Sequence, residues 1–88
     1  MFYIKKKNLN KLLGYGFKME TKFSYTYYEK DYNYGLVTIS VDDIPFSERE
    51  YEQLYIDIYD GCNEFYFIKE LHEMINKNII EWRDEHDN

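Results

Sequence analysis

Residues 51–59 read Tyr-Glu-Gln-Leu-Tyr-Ile-Asp-Ile-Tyr. Leu54, Ile56 and Ile58 fall on one side of an alternation, and Tyr55, Asp57 and Tyr59 fall on the other. A period of two is that of a strand with one face in a core and one in water. Tyr51, Tyr55 and Tyr59 are spaced by four, which also suits a helix. In a strand that even interval keeps all three on one face, together with Asp57. The same neighbourhood is strongly acidic. Residues 42–64 hold eight acids (Asp42, Asp43, Glu48, Glu50, Glu52, Asp57, Asp60, Glu64) against one base, Arg49. One segment is thus expected to supply both core and charged surface.

The partners of this strand are sought by the same period. Residues 36–41 place Val37, Ile39 and Val41 inward and Leu36, Thr38 and Ser40 outward. Residues 17–28 read as one half-buried strand, with Met19, Thr21, Phe23, Tyr25 and Tyr27 on one face. Residues 29–35, polar and closed by Gly35, read as the turn that joins these two into an antiparallel hairpin. Asp42, Asp43 and the single proline, Pro45, end the second strand. Ser47 and Glu50 have capping-box spacing for a short helical turn. The run Asp60-Gly-Cys-Asn63 signals a tight turn, and residues 64–67 are expected to add a short fourth strand. Residues 1–4 are apolar and read as a short strand or a packed tail.

Two helices are expected. The first is capped by Asn8 or Asn10 and buries Leu9, Leu12 and Leu13; Gly14 and Gly16 end it. The second carries Ile68, Leu71, Ile75, Ile79 and Trp82 as one stripe, with Met74 beside it and Glu73–Lys77 as an i, i+4 pair. The polar tail, 83–88, is expected to fray. The reading is a single α+β domain over 1–88: a short N-terminal helix, a three- to four-stranded antiparallel sheet, and a C-terminal amphipathic helix packed on one face.

Charge and aromatic content bear on function. The net charge is −6, but residues 1–18 hold five lysines and no acid. Direct nucleic-acid binding is disfavoured because phosphates would be repelled. An asymmetric acidic chain is suited to a basic protein partner. Eleven tyrosines among 88 residues supply core area, and also flat, half-polar surfaces suited to an interface. With one cysteine, Cys62, no internal disulfide is possible. No apolar run is long enough to span a membrane. The start places apolar residues before basic ones, the reverse of a secretory signal, so a cytoplasmic location is expected.

Catalytic chemistry finds little support. Neither His72 nor His86 stands near a nucleophile in sequence, and Cys62 has no neighbouring base. Residues 31–35 resemble the start of a calcium loop, but the glycine is one position early. No metal, cofactor or enzymatic activity is expected. The sharper reading is a carboxylate surface that mimics a phosphate track. Asp43, Glu48, Glu50, Glu52, Asp57, Asp60 and Glu64 would supply charge, and Tyr51, Tyr55 and Tyr59 would supply stacking surfaces.

The opening over residues 8–16 with its Leu-Leu-Gly-Tyr-Gly-Phe ending, the Tyr- and Ile-rich strands, and the Phe-Ile-Lys-Glu-Leu-His-Glu-Met-Ile helix together resemble small proteins of phages and prophages from AT-rich bacterial hosts. Several such proteins are anti-CRISPR or other anti-defence inhibitors. The resemblance implies a compact, acidic, non-enzymatic DNA mimic acting in the host cytoplasm. It would occupy the basic nucleic-acid groove of a CRISPR-Cas or other nucleic-acid-handling effector. The other expectation is a phage assembly or regulatory module that works as a homodimer. A third is a small-ligand binder using the tyrosine face.

Overall fold

The computed structural model describes residues 1–22, 25–32, 35–41, 50–59 and 64–84, with Glu64 described by its backbone alone. The elements in chain order are β1 (Phe2–Lys5), a 3-10 turn (Lys6–Asn8), α1 (Lys11–Gly14), β2 (Lys18–Lys22), β3 (Tyr25–Asp31), β4 (Leu36–Val41), β5 (Tyr51–Ile58), α2 (Glu64–Asn76) and β6 (Ile80–Trp82). The six strands form one antiparallel sheet in the order β2-β3-β4-β5-β1-β6.

The register assigns every strand residue to a face, because directly opposed residues point the same way. Ile80, Ile4, Leu54, Val41, Ile39, Val37 and Tyr28 line the inner face, linked by the pairs Ile4↔Ile80, Val41↔Leu54 and Tyr28↔Ile39. Leu12 of α1 and Phe67 and Met74 of α2 complete this core. Complete burial of one such aliphatic or aromatic side chain contributes about 1.5–3 kcal/mol relative to exposure. Both helices therefore lie on the inner side.

Each helix ends on a left-handed residue, with the bonding of a Schellman cap. After α1, Gly16 has φ 92°, Phe17 N–H donates to the Leu12 carbonyl (3.3 Å) and Gly16 N–H to that of Leu13 (3.1 Å). After α2, Asn78 has φ 60°, Ile79 N–H donates to the Met74 carbonyl (2.9 Å) and Asn78 N–H to that of Ile75 (3.1 Å). The two caps deliver Phe17 and Ile79 into the core.

One polar knot fastens α2 to the sheet. Lys30 projects from the inner face, and its Nζ lies 2.7 and 3.0 Å from the Glu70 carboxylate oxygens and 2.5 Å from the Tyr15 carbonyl. The Tyr32 ring lies 4.7 Å away. Both side chains of the ion pair are about three-quarters buried, so the pair escapes most of the screening that weakens surface salt bridges. Glu73 and Lys77 pair at 2.7 Å on the exposed helix surface, as their spacing predicts. The hydrogen bond from Lys77 holds the Glu73 carboxyl below its ordinary range.

Several expectations are corrected. The sheet has six strands rather than three or four. The single strand expected over 17–28 is instead a pair of strands, β2 and β3, with Lys22 opposite Tyr25. That reversal puts Tyr25 and Tyr27 on the face opposite Met19 and Thr21. Strand β3 runs on to Asp31, which shortens the expected turn at 29–35. Residues 64–67 begin α2 rather than adding a strand, and the helix ends at Asn76. Ile79 follows its cap, and Trp82 lies on β6. The buried stripe of α2 is Phe67, Leu71 and Met74, whereas Ile68 is 46% exposed. Leu13 is exposed, Asn8 ends the 3-10 turn rather than capping α1, and Asn10, which precedes α1, makes no side-chain cap bond. Of the two readings of residues 1–4 the strand holds: β1 spans Phe2–Lys5 and pairs on both sides. Arg83 is not frayed: it exchanges backbone hydrogen bonds with Met1 (2.8 and 2.6 Å). The expectations placed on Pro45, Ser47, residues 60–63 and His86 lie outside the described residues.

Candidate protein-binding face

With both helices on the inner side, neither covers the outer face of the sheet. The same register builds it. Tyr3 and Lys5 come from β1, Tyr51, Gln53, Tyr55 and Asp57 from β5, Thr38 and Ser40 from β4, and Tyr25, Tyr27, Glu29 and Asp31 from β3. Strand β2 adds Lys18, Glu20 and Lys22, and β6 adds Glu81. This is a tyrosine array interleaved with charge. Its outer strand, β2, is exposed throughout, and its Lys-Met-Glu-Thr-Lys sequence disfavours edge-to-edge pairing.

The face has two unlike halves. On β1 and β5, Tyr3 and Tyr51 hold the Arg83 guanidinium, whose central carbon lies 4.6 and 4.3 Å from their ring centres. Arg83 also pairs with Glu81 at 3.2 Å, and Lys5 with Glu50 at 3.6 Å. A cleft of about 590 Å³ opens beside this cluster, between β6 and the end of α2. Although it is the larger cleft, the charged groups beside it, Lys5 and Arg83, already have partners within the chain.

The other half is a shallow basin of about 310 Å³ over β3, β4 and β5. Tyr25, Tyr27 and Tyr59 wall it, and Thr38 and Ser40 lie in its floor; Lys22 and Leu36 also border it. Glu29 and Asp57 stand on either side of Thr38 as its direct cross-strand partners. Two strand spacings separate their backbones, about 10 Å. The rings of Tyr25 and Tyr27 lie 6.0 Å apart at 39°. The Tyr27 phenol is pushed above its ordinary value, first by desolvation and then by Glu29, Glu20, Tyr25 and Tyr59. Desolvation alone raises a phenol, and the nearby carboxylates Glu29 and Glu20 add to it.

No family model matches the chain. Neither the curated proteins nor the solved structures yield a match. The site therefore stands on its own geometry.

That geometry accepts some of the residues expected from sequence and rejects another. Tyr51, Tyr55, Asp57 and Tyr59 do share one face, with Tyr55 44% and Tyr59 54% exposed. Glu50 lies at its margin, paired with Lys5. Glu52 does not belong to it. Opposed to Ile4, it points to the inner side, is 3% exposed, and meets Lys6 Nζ at 3.3 Å. Its even spacing from Leu54 already required this, since strand residues two apart share a face. The positions of Asp43, Glu48, Asp60 and the Glu64 side chain lie outside the described residues. Sequence reasoning missed Glu20, Tyr25, Tyr27 and Glu29, because the reversal between β2 and β3 carries no glycine, proline or asparagine to announce it.

His72 is exposed on α2, and no group of three or more potential metal ligands forms among the described residues. No helix among them is long and apolar enough to cross a membrane.

Proposed function

We propose that this chain is a non-enzymatic binding protein that acts through the outer face of its sheet, presenting tyrosines and carboxylates to a basic protein surface. The biological role in keeping with that chemistry is an anti-CRISPR or related anti-defence inhibitor. It would cover the nucleic-acid-binding groove of an effector in the cytoplasm of a bacterial host. The observation that carries the reading is the convergence of Tyr25, Tyr27, Tyr55 and Tyr59 with Glu20, Glu29 and Asp57 on a face that neither helix covers. Tyrosine gives large contact area at low entropic cost and pairs with arginine, so such a surface is suited to a cationic partner. Carboxylates placed along adjacent strands repel nucleic acid itself.

The test is quantitative capture of basic proteins from bacterial lysate by immobilised protein, before and after Glu29→Lys with Asp57→Lys. Both carboxylates are on the solvent side, so the double variant is expected to fold. Capture should fall at least about tenfold, and the wild-type complex should dissociate as salt rises. Undiminished capture by the folded double variant would remove the proposal.

A second reading, homodimerisation, is favoured by a different observation. On α2, Phe65 is 71%, Tyr66 56% and Ile68 46% exposed, so the helix presents three large apolar side chains to solvent. Light scattering across a hundredfold concentration range separates the two. A concentration-dependent dimer that Phe65→Ser abolishes supports the second reading.

A further inference from the structure

Resting on the contact face proposed above, we infer that the basin over β3, β4 and β5 is a subsite for an arginine side chain of the partner, in preference to lysine. The carboxylates of Glu29 and Asp57 flank Thr38 from either side. Thr38 is 8% exposed and lies in the basin floor. Its hydroxyl can both accept from and donate to a group that enters the basin from solvent.

A guanidinium meets all of these groups at once. It is planar, so it lies along a tyrosine ring. Its five N–H donors fork, so it reaches two carboxylates and a hydroxyl together. An ammonium is a compact, strongly hydrated point that would satisfy one carboxylate and gain less from the rings. The same face already holds one guanidinium in this way within the chain, at shorter range than the Lys5 ammonium over Tyr51 (5.6 Å). The Arg83 guanidinium lies against both Tyr3 and Tyr51 while pairing with Glu81. The basin repeats that combination of tyrosine pair and flanking carboxylate two strands away.

The experiment is an amide NMR titration with two blocked seven-residue peptides, one carrying two arginines and the other two lysines at the same positions. The arginine peptide is expected to shift the amides of Tyr27, Thr38 and Asp57. It should bind about fivefold more tightly than its lysine twin, the gain expected from stacking on exposed rings. Asp57→Asn and Tyr25→Thr should each weaken the arginine peptide and narrow the preference. Glu73→Gln, on the far side of α2, should leave it unchanged. Equal binding of the two peptides, shifts centred elsewhere on the molecule, or no shifts at millimolar peptide would overturn the subsite. Arginine-dependent shifts confined to another part of the outer face would also overturn it while leaving the contact face intact. Failure of the contact face itself reads out separately, in the capture experiment with the doubly reversed variant.

Discussion

Phe67→Ala is expected to cost about 3–5 kcal/mol, while Ile68→Ala, one residue on, costs less than about 1 kcal/mol. Phe67 is 2% exposed and meets the Tyr32 ring edge-on at 6.0 Å, within the cluster that joins α2 to β3 and β4. Truncating it removes the aromatic area from the core and leaves a cavity that the surrounding sheet cannot close. An 88-residue domain has about 5–10 kcal/mol of total stability, so the variant should be largely unfolded at physiological temperature. Ile68 is 46% exposed, and its loss removes little that was out of water. Urea unfolding of the two variants measures the difference directly. The comparison also tests the rotation of α2 about its axis. If Ile68→Ala were the damaging change, the helix would be turned by about 100°, one residue's step.

Lys6→Ala is expected to destabilise by about 2–4 kcal/mol through a charge left behind rather than through a lost contact. The Glu52 carboxylate is 3% exposed on the inner face and has Lys6 3.3 Å away. Removing the lysine leaves an acid with neither water nor counter-ion. The consequence is a rescue: adding Glu52→Leu to the Lys6→Ala background should restore most of the loss. Leucine there extends the apolar stripe of Leu54 and Ile56. A thermal or urea double-mutant cycle measures the coupling. If Glu52 instead contributed to the contact surface, Lys6→Ala would leave stability almost unchanged.

The legibility of the fold tracks how local each signal is. Strands β4 and β5 are readable because Val37, Ile39 and Val41 alternate with polar residues, as do Leu54, Ile56 and Ile58. Their registers carry the tyrosine side of the site as well, with Tyr51, Tyr55, Asp57 and Tyr59 correctly placed together. Helix α2 is readable as a helix, but its buried side is not. Phe67, Leu71 and Met74 and the rival set Ile68, Leu71 and Ile75 both have helical spacing, and only packing against the sheet chooses between them. Its end was written in Asn76-Lys-Asn78, since asparagine tolerates the left-handed conformation, but the isoleucines beyond it continued a helical spacing. Strand β6, and the place of β1 in the sheet, were hidden for another reason. Phe2 pairs with Leu54 on one side and Trp82 on the other, and no local pattern announces partners so distant in the chain. The basin needed β3 turned over relative to β2. That brought Tyr25, Tyr27 and Glu29 to Asp57 and Tyr59, a meeting that a single long strand over 17–28 would have forbidden.

The central claim is that the outer face of the sheet is where this chain meets its partner. Hydroxyl-radical footprinting of the captured complex tests it most directly, because aromatic side chains report their own coverage. The expected result is that oxidation of Tyr25, Tyr55 and Tyr59, now between 44% and 54% exposed, falls on complex formation, while Phe65 and Tyr66 on α2 are oxidised as in the free protein. Protection of Phe65 and Tyr66 with unchanged oxidation of the three sheet tyrosines would contradict the account.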